Sequence, residues 1–339
     1  MNGAAGPAIE VQPRLATVVP QRWPVALGPA RDELLSSWLH RLAYAHGVSP
    51  RHFGERLGLG SGAWSARLDL NLPEFALSLL HSETGVGRDR LAGMTLGAEP
   101  WRALLLPLRW NDETGRRATW LQFCPLCLAG DEMPYFRRGW RRASVMTCRR
   151  HDSALLDRCP SCVQGLAPFG SCARLAQHIC ACCDFDLRDA RPPRLARATR
   201  RGVDLIDDLV RWEAAEGVLA RSALVARVLA LPTLGRRASG DSFARLSTAE
   251  RIRCVARLEN RLALHLGADL DPMLADGRRA IIAEGGVGPL LEALPRLLKG
   301  FARPVRPRRI DVAPAIDLAS LLSAYAAVRA RGQRRGLPK

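Results

Sequence analysis

Seven of the ten cysteines and one histidine fall into four pairs, each separated by two residues. The pairs are Cys124-Pro125-Leu126-Cys127, Cys148-Arg149-Arg150-His151, Cys159-Pro160-Ser161-Cys162 and Cys180-Ala181-Cys182-Cys183. Thiolate and imidazole are the ligands zinc prefers, and a structural zinc site closes with four of them in a tetrahedron. Two intervening residues let the chain turn so that both side chains reach one ion. A proline directly after the first cysteine presets the backbone for that turn. The order along the chain predicts two structural Zn2+ ions, one held by Cys124, Cys127, Cys148 and His151, the other by Cys159, Cys162, Cys180 and Cys183. Cys182 or His178 could replace a ligand in the second site, while Cys172 and Cys254 read as ordinary thiols. A catalytic zinc keeps an open position and a nearby carboxylate base. Neither feature is visible here, and no His-Glu-x-x-His pattern occurs.

Charge is the second chemical signal. Lys plus Arg number 50 against 33 Asp plus Glu, a net of +17, so a polyanionic partner is expected. Residues 293–339 alone carry 11 basic and 2 acidic side chains. That tail includes Lys299, Arg303, Arg306, Arg308 and Arg309, which read either as a nonspecific nucleic-acid contact or as a solvated end. In the cysteine-rich stretch, Tyr135-Phe136-Arg137-Arg138-Gly139-Trp140-Arg141-Arg142 interleaves aromatics with arginine, joined by Arg149 and Arg150. Such a run can grip a nucleic-acid backbone. The competing reading puts Tyr135, Phe136 and Trp140 in a small core around the ions, and that reading is favoured for the aromatics.

The elements that must position these groups are mostly helices. Leu34, Leu35, Trp38, Leu39, Leu42 and Ala45 form an apolar stripe that Gly47 ends. Ser49-Pro50 starts a second helix, with Ser49 as N-cap and Pro50 at the first helical position. Together they read as helix–turn–helix, with Arg51, His52, Glu55 and Arg56 projecting from the second helix. Residues 1–110 carry a net of only +2, which is poor for phosphate-driven binding. The motif therefore serves either DNA reading or protein docking, with docking favoured. Further helices are expected after Pro73, from Thr84 through Leu91, over 203–217 and 220–231, from a capping box at Ser247–Glu250 to about His265, and over 273–284, 287–300 and 314–330.

The expected fold is thus mainly α: an extended arm at 1–28, a helix-turn-helix-like helical domain at 29–115, a double zinc-ribbon or knuckle module at 116–190, and a helical domain with a basic tail at 191–339. No leader-like N-terminus and no apolar run of membrane-spanning length is visible, so the chain reads as cytoplasmic. Cysteines there favour metal over disulfides. Asp184, Asp186 and Asp189 read as a solvated turn rather than a nuclease centre, and no Walker loop is present.

The run from Tyr135-Phe136-Arg137-Arg138 through Trp140 to Cys148-Arg149-Arg150-His151, then Leu155-Leu156 and Cys159-Pro160-Ser161-Cys162, resembles proteins of the TniQ family. The stretch Asp32-Glu33-Leu34-Leu35-Ser36-Ser37-Trp38-Leu39-His40-Arg41-Leu42-Ala43 is similar to the same family, whose pattern is an acidic residue, then Ser-Trp, then Arg-Leu-Ala. The resemblance covers about residues 24–190 well. It implies a non-catalytic, often dimeric adaptor of Tn-seven-like transposition, linking a target-bound complex such as an RNA-guided Cascade to an AAA+ regulator of TnsC or TniB type. A TnsD-like direct DNA reader and a zinc-containing transcription regulator are the alternatives.

Overall fold

The computed structural model describes residues 22–59, 67–107, 120–166, 174–234, 242–258, 260–268 and 272–301, with helical positions at 319, 322–323 and 325–326. Most of the expected arm, most of the expected helix over 314–330 and the basic tail lie outside these residues. The architecture is mainly α-helical: eleven helices and one two-stranded hairpin among the described residues. The chain divides into two compact units. One takes Met1–Ala98, Leu108–Arg141 and Leu156–Pro192; the other takes Glu99–Pro107, Arg142–Leu155 and Pro193–Lys339.

In the first unit, α1 spans Leu35–Ala45 and is buried from Leu35 through Ala43. Its N-terminus lacks a local cap. The Asp69 carboxylate takes that role from 33 residues away, accepting from the Ser36 backbone N–H at 2.9 Å and the Ser36 hydroxyl at 3.0 Å. Gly47, at φ +71°, carries the chain out of α1. At α2 (Pro50–Arg56), Ser49 accepts from the His52 N–H and Pro50 occupies the first turn, as the spacing predicts. Helix α3 (Glu74–Thr84) closes on Gly85 at φ +70°. The helix expected from Thr84 therefore begins only at Arg88, as the short α4 (Arg88–Ala92), because the left-handed glycine interrupts the helical hydrogen bonds. Leu35, Trp38, Leu39, Leu42, Phe53, Leu57, Leu77 and Leu80 share one buried cluster. Burial of each such side chain contributes about 1.5–3 kcal/mol.

The two sequence stretches that carry the family resemblance are joined in this unit. The Leu34 N–H donates to the Phe136 carbonyl at 2.9 Å, and the Phe136 N–H donates to Ser37 Oγ at 2.9 Å. Buried Glu33 in turn accepts from Ser37 Oγ at 3.0 Å and from Arg41 Nε and Nη2, both at 2.8 Å. Trp38 Nε1 donates to the Leu27 carbonyl at 2.8 Å. The acidic, Ser-Trp and Arg residues are thus a hydrogen-bonded core rather than an exposed surface. After Cys124 comes a short helix, α5 (Pro125–Gly130).

The second unit contains α6 (Arg197–Ala215), α7 (Leu224–Leu229), α8 (Thr248–Leu258), α9 (Asn260–Leu266), α10 (Pro272–Glu284) and α11 (Val287–Phe301). Helix α6 starts six residues before the expected 203. The capping box forms as read: the Ser247 N–H donates to the Glu250 carboxylate at 2.9 Å, and the Glu250 N–H to Ser247 Oγ at 3.3 Å. The single helix expected beyond it is α8 followed by α9. A Cβ on Gly202 of α6 would lie 2.8 Å from Val255 Cγ1 and 3.0 Å from Leu262 Cδ2, so glycine allows this close helix packing. Ala280, Ile281, Leu290 and Leu294 form a second small core between α10 and α11. The hairpin of β1 (Thr147–Cys148) and β2 (Ser153–Ala154) pairs antiparallel, Thr147 with Ala154 and Cys148 with Ser153. No helix among the described residues is long and apolar enough to cross a membrane.

Candidate functional site

Three of the four ligand pairs are built on one local plan. After Cys148-x-x-His151, Cys159-x-x-Cys162 and Cys180-x-x-Cys183, the next residue turns left-handed: Asp152 at φ 52°, Val163 at φ 61° and Asp184 at φ 57°. In the second and third of these, the N–H of that residue donates to the first cysteine's carbonyl, Val163 to Cys159 and Asp184 to Cys180, both at 2.9 Å. The Cys159 and Cys180 N–H groups then bond the Gln164 and Phe185 carbonyls at 2.9 Å, closing each loop as a tiny hairpin. The fourth pair differs. Cys124 precedes α5 and Cys127 lies within it, so the helical repeat, not a knuckle, sets both thiols on one face.

The side chains meet as the order along the chain predicts. The ligand atoms of Cys124, Cys127, Cys148 and His151 all lie within 4.8 Å of one another, as do those of Cys159, Cys162, Cys180 and Cys183. Each group could hold a metal ion. Zinc–sulfur bonds of about 2.3 Å in a tetrahedron put sulfurs about 3.8 Å apart, and a sulfur–nitrogen edge at about 3.5 Å. The Sγ atoms of Cys159 and Cys183 are 3.7 Å apart, those of Cys162 and Cys180 3.6 Å. Cys148 Sγ and His151 Nδ1 are 3.5 Å apart. These spacings fit ligation around a small ion and are far too long for a disulfide. Cys183 stands in the second cluster; half-buried His178 and exposed Cys182 are outside it.

Electrostatics point the same way. Burial pushes the Cys159 thiol up to about 12 and raises Cys180, whereas the Phe185 N–H brings exposed Cys183 down to about 7. The buried Cys159 and Cys180 thiols resist ionisation, and a bound cation removes that resistance.

The candidate nucleic-acid residues separate sharply. Arg51 pairs with Glu55 at 3.3 Å, and His52 Nδ1 lies 2.7 Å from Ser49 Oγ; both residues and Arg56 are exposed on α2. Arg137 is held by Asp131 at 2.7 Å, with its guanidinium over the rings of Tyr135 and Trp140. Half-buried Arg138 donates to the Thr95 carbonyl at 3.1 Å. Arg141 needs a correction. Its side chain is 1% exposed and bonds Asp69, itself 0% exposed, at 3.0 Å, so it offers nucleic acid no surface. Arg142 and Arg149 both pair with Asp207, at 3.1 and 2.9 Å, and Arg149 also binds Asp208. Arg150 stays exposed. The aromatics follow the core reading, with Phe136 and Trp140 buried. The side chains of Lys299, Arg303, Arg306, Arg308 and Arg309 lie outside the described residues.

Sequence reasoning missed the acidic seam on α6. Asp204, Asp207 and Asp208 receive Thr147, Arg142 and Arg149 from the hairpin segment, and Asp208 also meets Arg279 of α10 at 3.3 Å. The signal was present: Asp207 and Asp208 stand among the buried Ile206, Leu209 and Val210, where unpaired carboxylates would be costly. The seam borders a polar cavity of about 230 Å³ lined by Thr147, Cys148, Arg149, Arg200 and Arg279 among others.

Against known families, residues 24–155 match the TniQ family model. That span contains the buried Glu33–Arg41 network and all four residues of the first cluster. No curated protein matches the chain.

Proposed function

We propose that this protein is a non-catalytic target-selection adaptor of DNA transposition, joining a target-bound complex to the AAA+ regulator that recruits the transposase. The observation that carries this reading is the TniQ match over residues 24–155. Two four-ligand clusters in a mainly helical chain support it, since such clusters cross-link a scaffold rather than leave an open coordination position. In this reading Cys124, Cys127, Cys148 and His151 hold one Zn2+, and Cys159, Cys162, Cys180 and Cys183 hold another. The ions supply cross-links that small loops lack, worth about 10–16 kcal/mol in zinc peptides. The working division is an arm at 1–28, an α1–α2 bearing domain at 29–115, the metal module at 116–190 and a helical domain at 191–339, acting in the cytoplasm as a homodimer.

The exposed face of α2 has Arg51 already neutralised by Glu55, which favours protein docking there over reading of bases. An RNA-guided Cascade-type complex is therefore the favoured target-bound partner. The test is co-purification of the intact protein with the neighbouring AAA+ regulator and with Cascade, beside a DNA mobility shift. Capture by both, with weak and salt-sensitive DNA binding, is expected. Tight sequence-specific DNA binding without either partner would replace this reading with a direct target reader.

A further inference from the structure

The arginines of the second unit fall into two classes. Arg142, Arg149, Arg200 and Arg279 are each bound to an aspartate. Arg150, Arg194, Arg197 and Arg201 are exposed, and none of the four has an acidic partner among the described residues. They are not scattered. Arg197 and Arg201 stand four residues apart on α6, hence on one face and about 6 Å apart along its axis. Arg194 lies three residues before Arg197. Arg150 joins from the hairpin turn, which is tied to α6 where Arg200 meets Asp152.

The nearest aspartates are already engaged elsewhere, Asp152 by Arg200 and Asp204 by Arg200 and Thr147. No acidic residue occurs between Asp189 and Asp204. The first turn of α6 has none either, although acidic side chains are the stabilising choice at that end of a helix. Like charges four apart on a helix also repel. Local rules broken without a compensating contact inside the chain are expected at functional positions. A stripe at Arg253, Arg257 and Arg261 is exposed too, but Glu250 and Glu259 flank it in sequence.

We propose that Arg150, Arg194, Arg197 and Arg201 form a contact surface for the phosphate backbone of nucleic acid. Guanidinium forks bind phosphate oxygens in pairs and release condensed counterions, without reading bases. This surface deepens the adaptor reading by giving the nucleic acid in the assembly a place on the protein. It is independent of which protein partner α2 meets.

The experiment measures binding of the full chain to a mixed-sequence DNA duplex and to an RNA hairpin, by fluorescence anisotropy from about 50 to 200 mM salt. The variant Arg150→Gln/Arg194→Gln/Arg197→Gln/Arg201→Gln is compared with Arg253→Gln/Arg257→Gln/Arg261→Gln. Melting temperature and metal content verify that both remain folded. The first variant is expected to bind at least tenfold more weakly, with the slope of log K against log salt reduced by about 3–4. The second should change far less. A loss on one probe alone assigns the surface to that backbone and supports the proposal. Unchanged affinity and slope on both probes, or an equal loss in the second variant, would overturn it. Partner capture is read separately, so a failed adaptor reading would leave this result standing, and the reverse.

Discussion

Replacing Asp69 by alanine should be the most damaging single change in the first unit that touches no metal ligand. The carboxylate is fully buried, accepts from the Ser36 N–H and hydroxyl, and holds the equally buried Arg141 guanidinium at 3.0 Å. Burial raises the Asp69 pKa against the pull of Arg141, and lowers that of Arg141, so desolvation works against both charges. Such a pair is no stronger than a packed hydrophobic substitute, yet losing one member strands the other. Asp69→Ala is expected to lose about 3–5 kcal/mol. With a urea slope of about 2 kcal/mol/M, the unfolding midpoint falls by about 1.5–2.5 M. The paired variant Asp69→Leu/Arg141→Met removes both charges together and leaves the Ser36 groups unserved, so its loss should be smaller, about 1–3 kcal/mol. Tryptophan fluorescence in urea reports the cycle, because the Arg141 guanidinium lies 4.7 Å from the Trp120 ring. A midpoint shift below about 0.5 M for Asp69→Ala would refute the reasoning. So would a paired variant less stable than either single one.

Buried His40 has its pKa lowered to about 4, first by burial and then by His178. A depressed pKa means stability present above about pH 6.5 and lost as pH falls through 4, about 3 kcal/mol in all; His40→Leu should flatten that slope in urea melts from pH 7 to 4. Val163 is 55% exposed and sits at φ 61°, where a β-branched side chain is strained; Val163→Gly should gain about 0.5–1 kcal/mol with metal content intact, and a loss in thermal melts would contradict the knuckle geometry. Plasma emission spectrometry should find two zinc ions per chain, and Cys148→Ser one; a folded Cys148→Ser chain with two ions would sink the first-site assignment. Lowering pH protonates the thiolates, so both ions should leave more readily in a chelator as pH drops.

What could be read directly was what short range controls. Ligand pairs with two residues between them, the Ser49-Pro50 start and the Ser247–Glu250 box are each decided within a turn of chain, and the fold contains all of them. Gly85 is also local, yet the sequence expects a helix from Thr84 and the structure starts it at Arg88, because glycine after a helix can either end it or lie within a turn. The hidden part is long-range. Asp69 and Arg141 are 72 residues apart, and Arg149 reaches Asp208 across 59. An arginine inside an Arg-rich run reads as surface until its distant carboxylate is known, and for Arg141 that carboxylate is the buried Asp69. Likewise, the Arg-Leu-Ala motif reads as a family mark, while its physical reason, Glu33 bound to Arg41 and Ser37, lies in side-chain contacts of the fold.

Under the proposed function, this chain directs where a transposon inserts. The most direct measurement maps insertions in cells carrying the complete transposition system, with and without this protein. Target-site insertions should vanish without it and return with the intact chain. Insertion at the same sites and frequency in its absence would contradict the account.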